Sequence, residues 1–426
     1  MNEARVIVIG GGPAGIMAAG RAAQMGARVV LLEKGPKLAR KLRISGKGRG
    51  NITNTAPIDE FVEAFAPNGK FLYGAFSRFF SEDLIALLQS LGVETKVERG
   101  GRVFPASDRA GDIADAMERW ARELGVRIKA GTSVRSIAVE DGRVTGVEVF
   151  GGRMAAGAVV IATGGASYPK TGSTGDGYAM ARELGHTIVP PKPGLSALLT
   201  EEKWVGDIQG LSLKNVRATL LAADSTPVAS EFGEMLFAHF GISGPIILTL
   251  SRRVRRMLEA GPVIVSIDLK PALTEEQLRA RLIRDFAGNK MLRNYLPELL
   301  PRLMAELFPS LAKIDADKRT NSITSDERKR IISALKDLRL TARGLAPLEE
   351  AIVTAGGVSV KEIDPKTMMS KLISGLFFAG EVIDVDAETG GFNIQAAFST
   401  GWVAGESVAR CSLCRSATDS AASGCG

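Results

Sequence analysis

Three glycines and one glutamate carry the chemistry most legible in this 426-residue chain. Gly10, Gly12 and Gly15 stand in G-x-G-x-x-G spacing around Pro13 and Ala14, and Glu33 follows eighteen positions after the last glycine. In such a pattern the first glycine allows a tight turn, the second lets backbone approach a pyrophosphate, and the third lets helix and strand pack closely. The helix that opens there attracts phosphate charge to its N-terminus. A carboxylate at Glu33 accepts hydrogen bonds from both ribose hydroxyls and repels a 2′-phosphate, which suits FAD or NAD rather than NADP. Next come Lys34, Lys37, Arg40, Lys41, Arg43, Lys47 and Arg49, with no acid between Glu33 and Asp59. Such a run is either a solvated basic loop or the partner of a polyanion, a dinucleotide pyrophosphate or RNA. His239, one of two histidines, is read either as a buried, hydrogen-bonded imidazole or as a proton donor or acceptor. Tyr168 stands among glycines and is read as a similar proton group or a structural turn.

These residues need elements to hold them. Residues 5–9 are an apolar, β-branched run of the kind found in buried parallel strands, 16–24 are rich in Ala and Met, and 27–33 form a second apolar run. Strand, glycine turn, helix, strand and terminal acid in that order define a β-α-β dinucleotide-binding unit. Helices are expected from Ser81 as a cap to Gly92, and from Asp112 to Gly125. Strands are expected over 126–139 and 143–150 with an Asp141-Gly142 hairpin between them, and a buried strand over 158–162 ends at Thr163-Gly164-Gly165. Val134 joins the cofactor-binding set. His186, after Gly185, reads as a helix cap.

Composition bounds the rest. Hydrophobic residues are 45% and charged residues 24%, ordinary globular values without a span long enough for a bilayer. Without a visible secretory leader, and with Cys411, Cys414 and Cys425 all near the end, a cytoplasmic protein without disulfide staples is expected. These cysteines lack the ligand set of a zinc site; no metal is expected. Net charge is +7, and no interleaving of basic and aromatic residues marks a single-strand stacking surface. Pro190-Pro191-Lys192-Pro193-Gly194 breaks the pattern and predicts a boundary, because proline bars helix and central strand. We expect an α/β fold: a discontinuous, Rossmann-like dinucleotide-binding domain over 1–190 and 345–410, an inserted β-plus-helix domain over 191–344, and a flexible tail over 411–426.

Five segments then fall together: 10–15; 40–54, from Arg40-Lys41 through Ser45-Gly46 to Asn51-Ile52-Thr53-Asn54; 164–177; 233–245; and 380–393, with Gly380-Glu381 and Gly390-Gly391-Phe392-Asn393. In this order they resemble the BaiN/YhiN-type flavoproteins, also described as aminoacetone-oxidase-like or NAD(P)/FAD-dependent oxidoreductases, over about residues 5–408. One departure is that the family usually carries cysteine where this chain has Gly50. The resemblance implies FAD on the β-α-β unit, which makes 1–190 with 345–410 a discontinuous FAD-binding Rossmann-like domain, with the inserted domain, β-barrel-like plus helical, covering the flavin. The basic segment 40–54 would neutralise the pyrophosphate and line the flavin edge. Asn51, Thr53 and Asn54 would offer uncharged hydrogen bonds to the ring. Glu381 would bind ribityl hydroxyls, and the amides from Gly391 through Phe392 and Asn393 to Ile394 would face the flavin pyrimidine. The expected activity is hydride transfer between flavin and NAD(P)H or a small organic substrate, with amines such as aminoacetone and steroid-like enones both compatible. NAD(P)H would dock transiently, since no second G-x-G-x-x-G follows a strand. The alternative is a flavin-containing RNA-binding or RNA-modifying protein. No membrane partner is expected, and oligomeric state is not legible.

Overall fold

The structure, a computed structural model, describes residues 6–423, with side chains described as far as Ser412. The chain divides into two compact units, 1–194 with 348–426, and 195–347.

The first unit is built on a five-stranded sheet ordered Leu376–Phe378, Ala158–Ile161, Val6–Ile9, Val29–Glu33 and Arg127–Ala130, with parallel pairing throughout. Val6–Ile9 and Ala158–Ile161 are buried residue for residue, the pattern of strands covered on both faces. Between the first two strands in sequence runs the helix Pro13–Gln24, with Pro13 in its first turn and Gly12 as its cap. Gly10 has φ +104°, and a side chain there would strike the Ala162 carbonyl. A Cβ on Gly15 would lie 1.9 Å from the Gly10 carbonyl oxygen, so the glycine spacing sets how closely helix and sheet meet.

The run expected as one strand over 126–139 is two. Arg127–Ala130 ends the parallel sheet; Gly131 has φ +69°, and Val134–Glu140 starts an antiparallel sheet with Arg143–Val149 and Gly152–Ala155. Asp141 and Gly142 both take positive φ at the hairpin turn, as a two-residue primed turn requires. The expected cap Ser81 is instead the first helical residue of Ser81–Ser90, and Asp83 accepts the Phe80 N–H at 2.7 Å.

The proline run ends where the two units divide, after Gly194, yet it is not irregular: Ile188–Leu195 is a strand that, among the described residues, pairs with Val353–Val358 in a two-stranded sheet. With one partner, its prolines face no second ladder that needs their missing N–H groups. The segment expected to be a flexible tail continues the helix Phe392–Ser423. Cys411 is a free, half-buried thiol; the side chains of Cys414 and Cys425 lie outside the described residues.

The second unit is a closed six-stranded barrel in the order Leu198–Thr200, Gly241–Ser243, Pro227–Ala238, Ser212–Leu221, Val263–Asp268 and Leu338–Leu345. Alternating residues such as Val216, Ala218 and Leu220 point inward. Helices Pro245–Met257, Glu275–Asp285, Arg302–Ala312 and Ser325–Lys336 accompany it. Thr274 and Thr324 cap two of them through their hydroxyls.

Candidate active site

The carboxyl ends of the parallel strands gather the expected residues of the first unit. Around Gly12 the space is open, with no atom within 4 Å of where a Cβ would stand, while the first turn of the helix behind it has backbone N–H groups without intrahelical acceptors. Glu33 closes the next strand and accepts hydrogen bonds from the N–H of Gly11 at 2.8 Å and of Gly35 at 2.7 Å. Thr132 N–H donates to the Glu33 carbonyl at 2.9 Å, which brings the chain leading into Val134 alongside. An open glycine floor, a helix N-terminus and an acid at the strand end fit the pyrophosphate and ribose of FAD.

The loop 163–177 lies against this floor. Lys34 Nζ donates to Asp176 Oδ2 at 2.6 Å and also bonds Thr174. Burial pushes the Asp176 carboxyl up, but Lys34 and Thr174 outweigh it and hold it below the usual range. Arg40 donates to the Lys170 carbonyl at 2.5 Å. A Cβ on Gly165 would meet Thr354 at 2.3 Å and Glu381 at 3.0 Å, so loop and glutamate are in contact. Thr163 carries a buried hydroxyl without a hydrogen-bond partner.

Glu381 follows the strand Leu376–Phe378 and is the hub of a polar network. Its carboxylate accepts from Lys41 Nζ at 3.0 and 3.1 Å, from Thr354 N–H at 2.7 Å and from Ser167 Oγ at 3.3 Å. Lys41 also donates to Ser167 Oγ at 2.7 Å, and Thr400 Oγ1 holds the Gly380 N–H at 2.9 Å. Ser45 caps its own loop through the Leu42 carbonyl, and Gly46 takes φ +57° beside Asn51.

Several polar groups expected to face the ring also hydrogen-bond within the protein. The neighbours of Asn51 assign its amide orientation: with Nδ2 toward the carbonyls of Thr53 (3.2 Å) and Val103 (3.3 Å), Oδ1 accepts from Gly391 N–H at 3.1 Å. Asn54 Nδ2 donates to the carbonyls of Gly100 and Gly390, and Asn393 spends its amide on the loop at Ala387 and Glu388. Phe392 packs edge-on against Phe61, centroids 4.6 Å apart. These side chains fix the turn 387–391 ahead of a helix whose first-turn backbone amides lack intrahelical acceptors. The basic run is also partly spent: Arg43 pairs with Asp115 at 2.6 Å, and Arg49 pairs with Glu98 and Asp108 at 2.5 and 2.6 Å. None of these three acids is signalled by the sequence, because each pair joins segments far apart in the chain. At Gly50, φ is +79° and a Cβ would stand 3.0 Å from Ala110, so a larger residue there is strained.

Tyr168 has φ +53° and a side chain 41% exposed, on the loop that carries Ser167. His239 belongs to the second unit. It is exposed at the turn after Pro227–Ala238, edge-on to Phe240 at 4.9 Å, which corrects the buried reading of this histidine: a two-residue turn beyond the barrel wall leaves no core to bury it. His186 is buried and caps its helix, Nδ1 meeting the Ala181 carbonyl at 3.2 Å and Nε2 the Ser370 hydroxyl at 2.8 Å.

A parallel sheet with this glycine floor and terminal glutamate defines a Rossmann flavoprotein oxidoreductase. Residues 4–407 match the model of the HI0933-like protein Rossmann domain, and the chain belongs to that family. It is 30% identical over 413 residues, 95% of this chain and 99% of the relative, to a 3-dehydro-bile acid delta(4,6)-reductase of Clostridium scindens. It is 31% identical over 411 residues, 96% and 98% of the two chains, to a ribosomal RNA dihydrouridine synthase of Escherichia coli. Among solved structures, it shares its fold with a flavocytochrome c3 fumarate reductase at a TM-score of 0.55 and 18% identity, covering 97% of this chain and 79% of the other. It does so also with the 3-ketosteroid-delta4-(5alpha)-dehydrogenase of Rhodococcus jostii at a TM-score of 0.52 and 16% identity, covering 96% and 97%. No helix among the described residues is long and apolar enough to cross a membrane.

Proposed function

We propose that this flavoprotein reduces a carbon–carbon double bond conjugated to a carbonyl group, drawing electrons from NAD(P)H in the cytoplasm. One observation carries the reading: the chain is similar, to nearly the same degree and over nearly full length, to two proteins whose named reactions saturate such a bond. One acts on a 3-dehydro steroid and the other forms dihydrouridine. Saturation needs a hydride at one carbon and a proton at the other, and bound FAD supplies the hydride.

The chain's own residues do the rest. Gly10, Gly12 and Gly15 with the amides of Pro13–Gln24 hold the pyrophosphate, and Glu33 binds the ribose hydroxyls. Lys34 and Arg40 steady the loop beside it through Asp176 and Lys170. Lys41, Ser167 and Thr354 keep Glu381 oriented for a polyol chain. The helix that opens at Phe392 stabilises negative charge at its N-terminus. Tyr168 is the proton donor we assign in this unit. His239, exposed on the barrel, is tested alongside it.

The test mixes flavin-loaded protein anaerobically with NADH or NADPH, follows bleaching of the visible flavin band, and then adds a steroid enone. Bleaching followed by reoxidation by the enone is expected. A flavin that NAD(P)H leaves oxidised, but that an amine reduces and oxygen restores, would replace the reading with an oxidase. A second reading, in which the double bond belongs to uridine in RNA, is favoured by charge placement. The unit 195–347 holds 23 Lys and Arg against 18 Asp and Glu, a net +5 of the chain's +7. Reoxidation by an RNA transcript, with dihydrouridine in its digest and loss of binding as salt rises, would select it.

A further inference from the structure

We propose that Arg49 is a positioning residue for the flavin edge: ion-paired to Glu98 and Asp108 and stacked on Phe104, it clamps the left-handed loop 46–50 that delivers Asn51 to Gly391. The inference rests on the FAD site described above.

The loop needs a clamp. Gly46, Lys47, Gly48 and Gly50 have φ of +57°, +59°, +84° and +79°, and a lysine in that region is disfavoured by its Cβ. Two backbone hydrogen bonds close the loop, Arg49 N–H to the Gly46 carbonyl at 3.2 Å and Gly50 N–H to the Ser45 carbonyl at 3.0 Å. The Arg49 side chain adds a converging set. Nη1 donates to Glu98 Oε2 at 3.2 Å, Nε and Nη2 donate to Asp108 Oδ1 at 3.0 and 2.6 Å, and the guanidinium carbon sits 4.3 Å from the centre of the Phe104 ring. Asp108 also accepts from Lys96 at 2.6 Å. Single exposed ion pairs contribute little; a planar fork shared by two carboxylates over an aromatic face fixes an orientation that a lysine does not reproduce.

What Arg49 grips leads to the site. Glu98 ends the strand Thr95–Glu98, Phe104 lies in Arg102–Pro105, and these strands form one small sheet with Thr53–Asn54. Backbone of Thr53 fills the place a Gly391 side chain would need, at 2.3 Å. Asn54 holds the Gly390 carbonyl at 3.1 Å. Two residues after Arg49, Asn51, in the amide orientation its neighbours assign, ties the Val103 carbonyl to the Gly391 N–H. Arg49 therefore links the loop to the sheet that sets the glycine turn before the Phe392 helix.

The experiment measures the FAD dissociation constant and the flavin midpoint potential of the full-length protein, with Arg49→Ala, Arg49→Lys, Glu98→Gln and Glu33→Arg. Arg49→Ala is expected to weaken FAD about tenfold and to shift the potential, an order of magnitude typical of coupled side chains. Arg49→Lys is expected to recover only part, and Arg49→Ala with Glu98→Gln to lose no more than Arg49→Ala alone. If Arg49→Ala does not fold by circular dichroism, Glu98→Gln, which keeps every backbone contact of the loop, carries the test with a loss in the same direction. Wild-type affinity and potential in the folded arginine and glutamate variants would overturn the inference. Failure of the underlying site reading looks different: wild-type protein that binds no FAD, or Glu33→Arg that keeps it.

Discussion

At the scale of single residues, variants of Glu33 and Tyr168 test binding and chemistry separately. Replacing Glu33 with arginine removes the acceptor that holds Gly11 and Gly35 and places a cation where ribose hydroxyls are expected. A charged hydrogen-bonding group contributes about 1.5–3 kcal/mol, so FAD retention should fall about 10–100-fold, read by the flavin content of the purified protein. Tyr168→Phe should leave the rate of flavin bleaching by NAD(P)H unchanged. It should slow reoxidation by the enone by about 10²–10⁴, the usual contribution of a general acid; unaltered reoxidation removes Tyr168 from the chemistry. Glycine spacing and Glu33 were legible because their meaning is local to one β-α-β unit. The partners of Arg43 and Arg49 were not: Asp115, Glu98 and Asp108 look in sequence like ordinary surface acids, and only the fold brings them to the basic run. The backbone partners of Asn51 and Asn54 were not legible for the same reason, since amide side chains serve backbone as readily as ligand.

At the scale of elements, two polar contacts fasten helices and each has a pH signature. His186 caps the helix Asp176–Glu183 from a buried position, and burial holds its imidazole below the ordinary value of 6.5. A neutral folded imidazole takes up fewer protons than the unfolded one, so its contribution is complete above about pH 6.5 and is lost as pH falls toward the folded value. Thermal unfolding followed across pH 5–8 should show this slope, and His186→Gln should flatten it. Glu406 sits between Arg21 and Arg78 and ties the Phe392–Ser423 helix to Pro13–Gln24. Burial pushes its carboxyl up, but the two guanidinium groups outweigh that and keep it below the usual range. Glu406→Gln should cost about 2 kcal/mol, seen as a lower unfolding midpoint at neutral pH and a smaller difference in acid. Helices and hairpins with their own caps and turns were readable in sequence, Asp141-Gly142 most plainly. The strand through Pro190, Pro191 and Pro193 was not, because whether proline is tolerated depends on having a single ladder, a property of the sheet rather than of the segment.

At the scale of the whole molecule, the parallel sheet and the barrel differ in how they are assembled from the chain. Barrel strands Leu198–Thr200 and Leu338–Leu345 pair with each other, so closure joins the two ends of the 195–347 unit, and no local pattern announces it. If RNA is the substrate, charge reversal at exposed arginines of this unit, such as Arg253 and Arg343, should weaken RNA binding and flatten its salt dependence while leaving FAD content intact. Unchanged binding would return the substrate to the small-molecule class. The sheet has a different consequence, one of timing. Ala158–Ile161 gains its outer neighbour only when Leu376–Phe378 arrives, roughly two hundred residues later, which at ribosomal speeds is about 10–40 s of synthesis. For that interval a buried-type strand presents an unpaired edge while the barrel segment is translated and can close by itself. A nascent chain stalled before Leu376 should therefore be the form that chaperones retain and proteases find, and release past the final helix should end both.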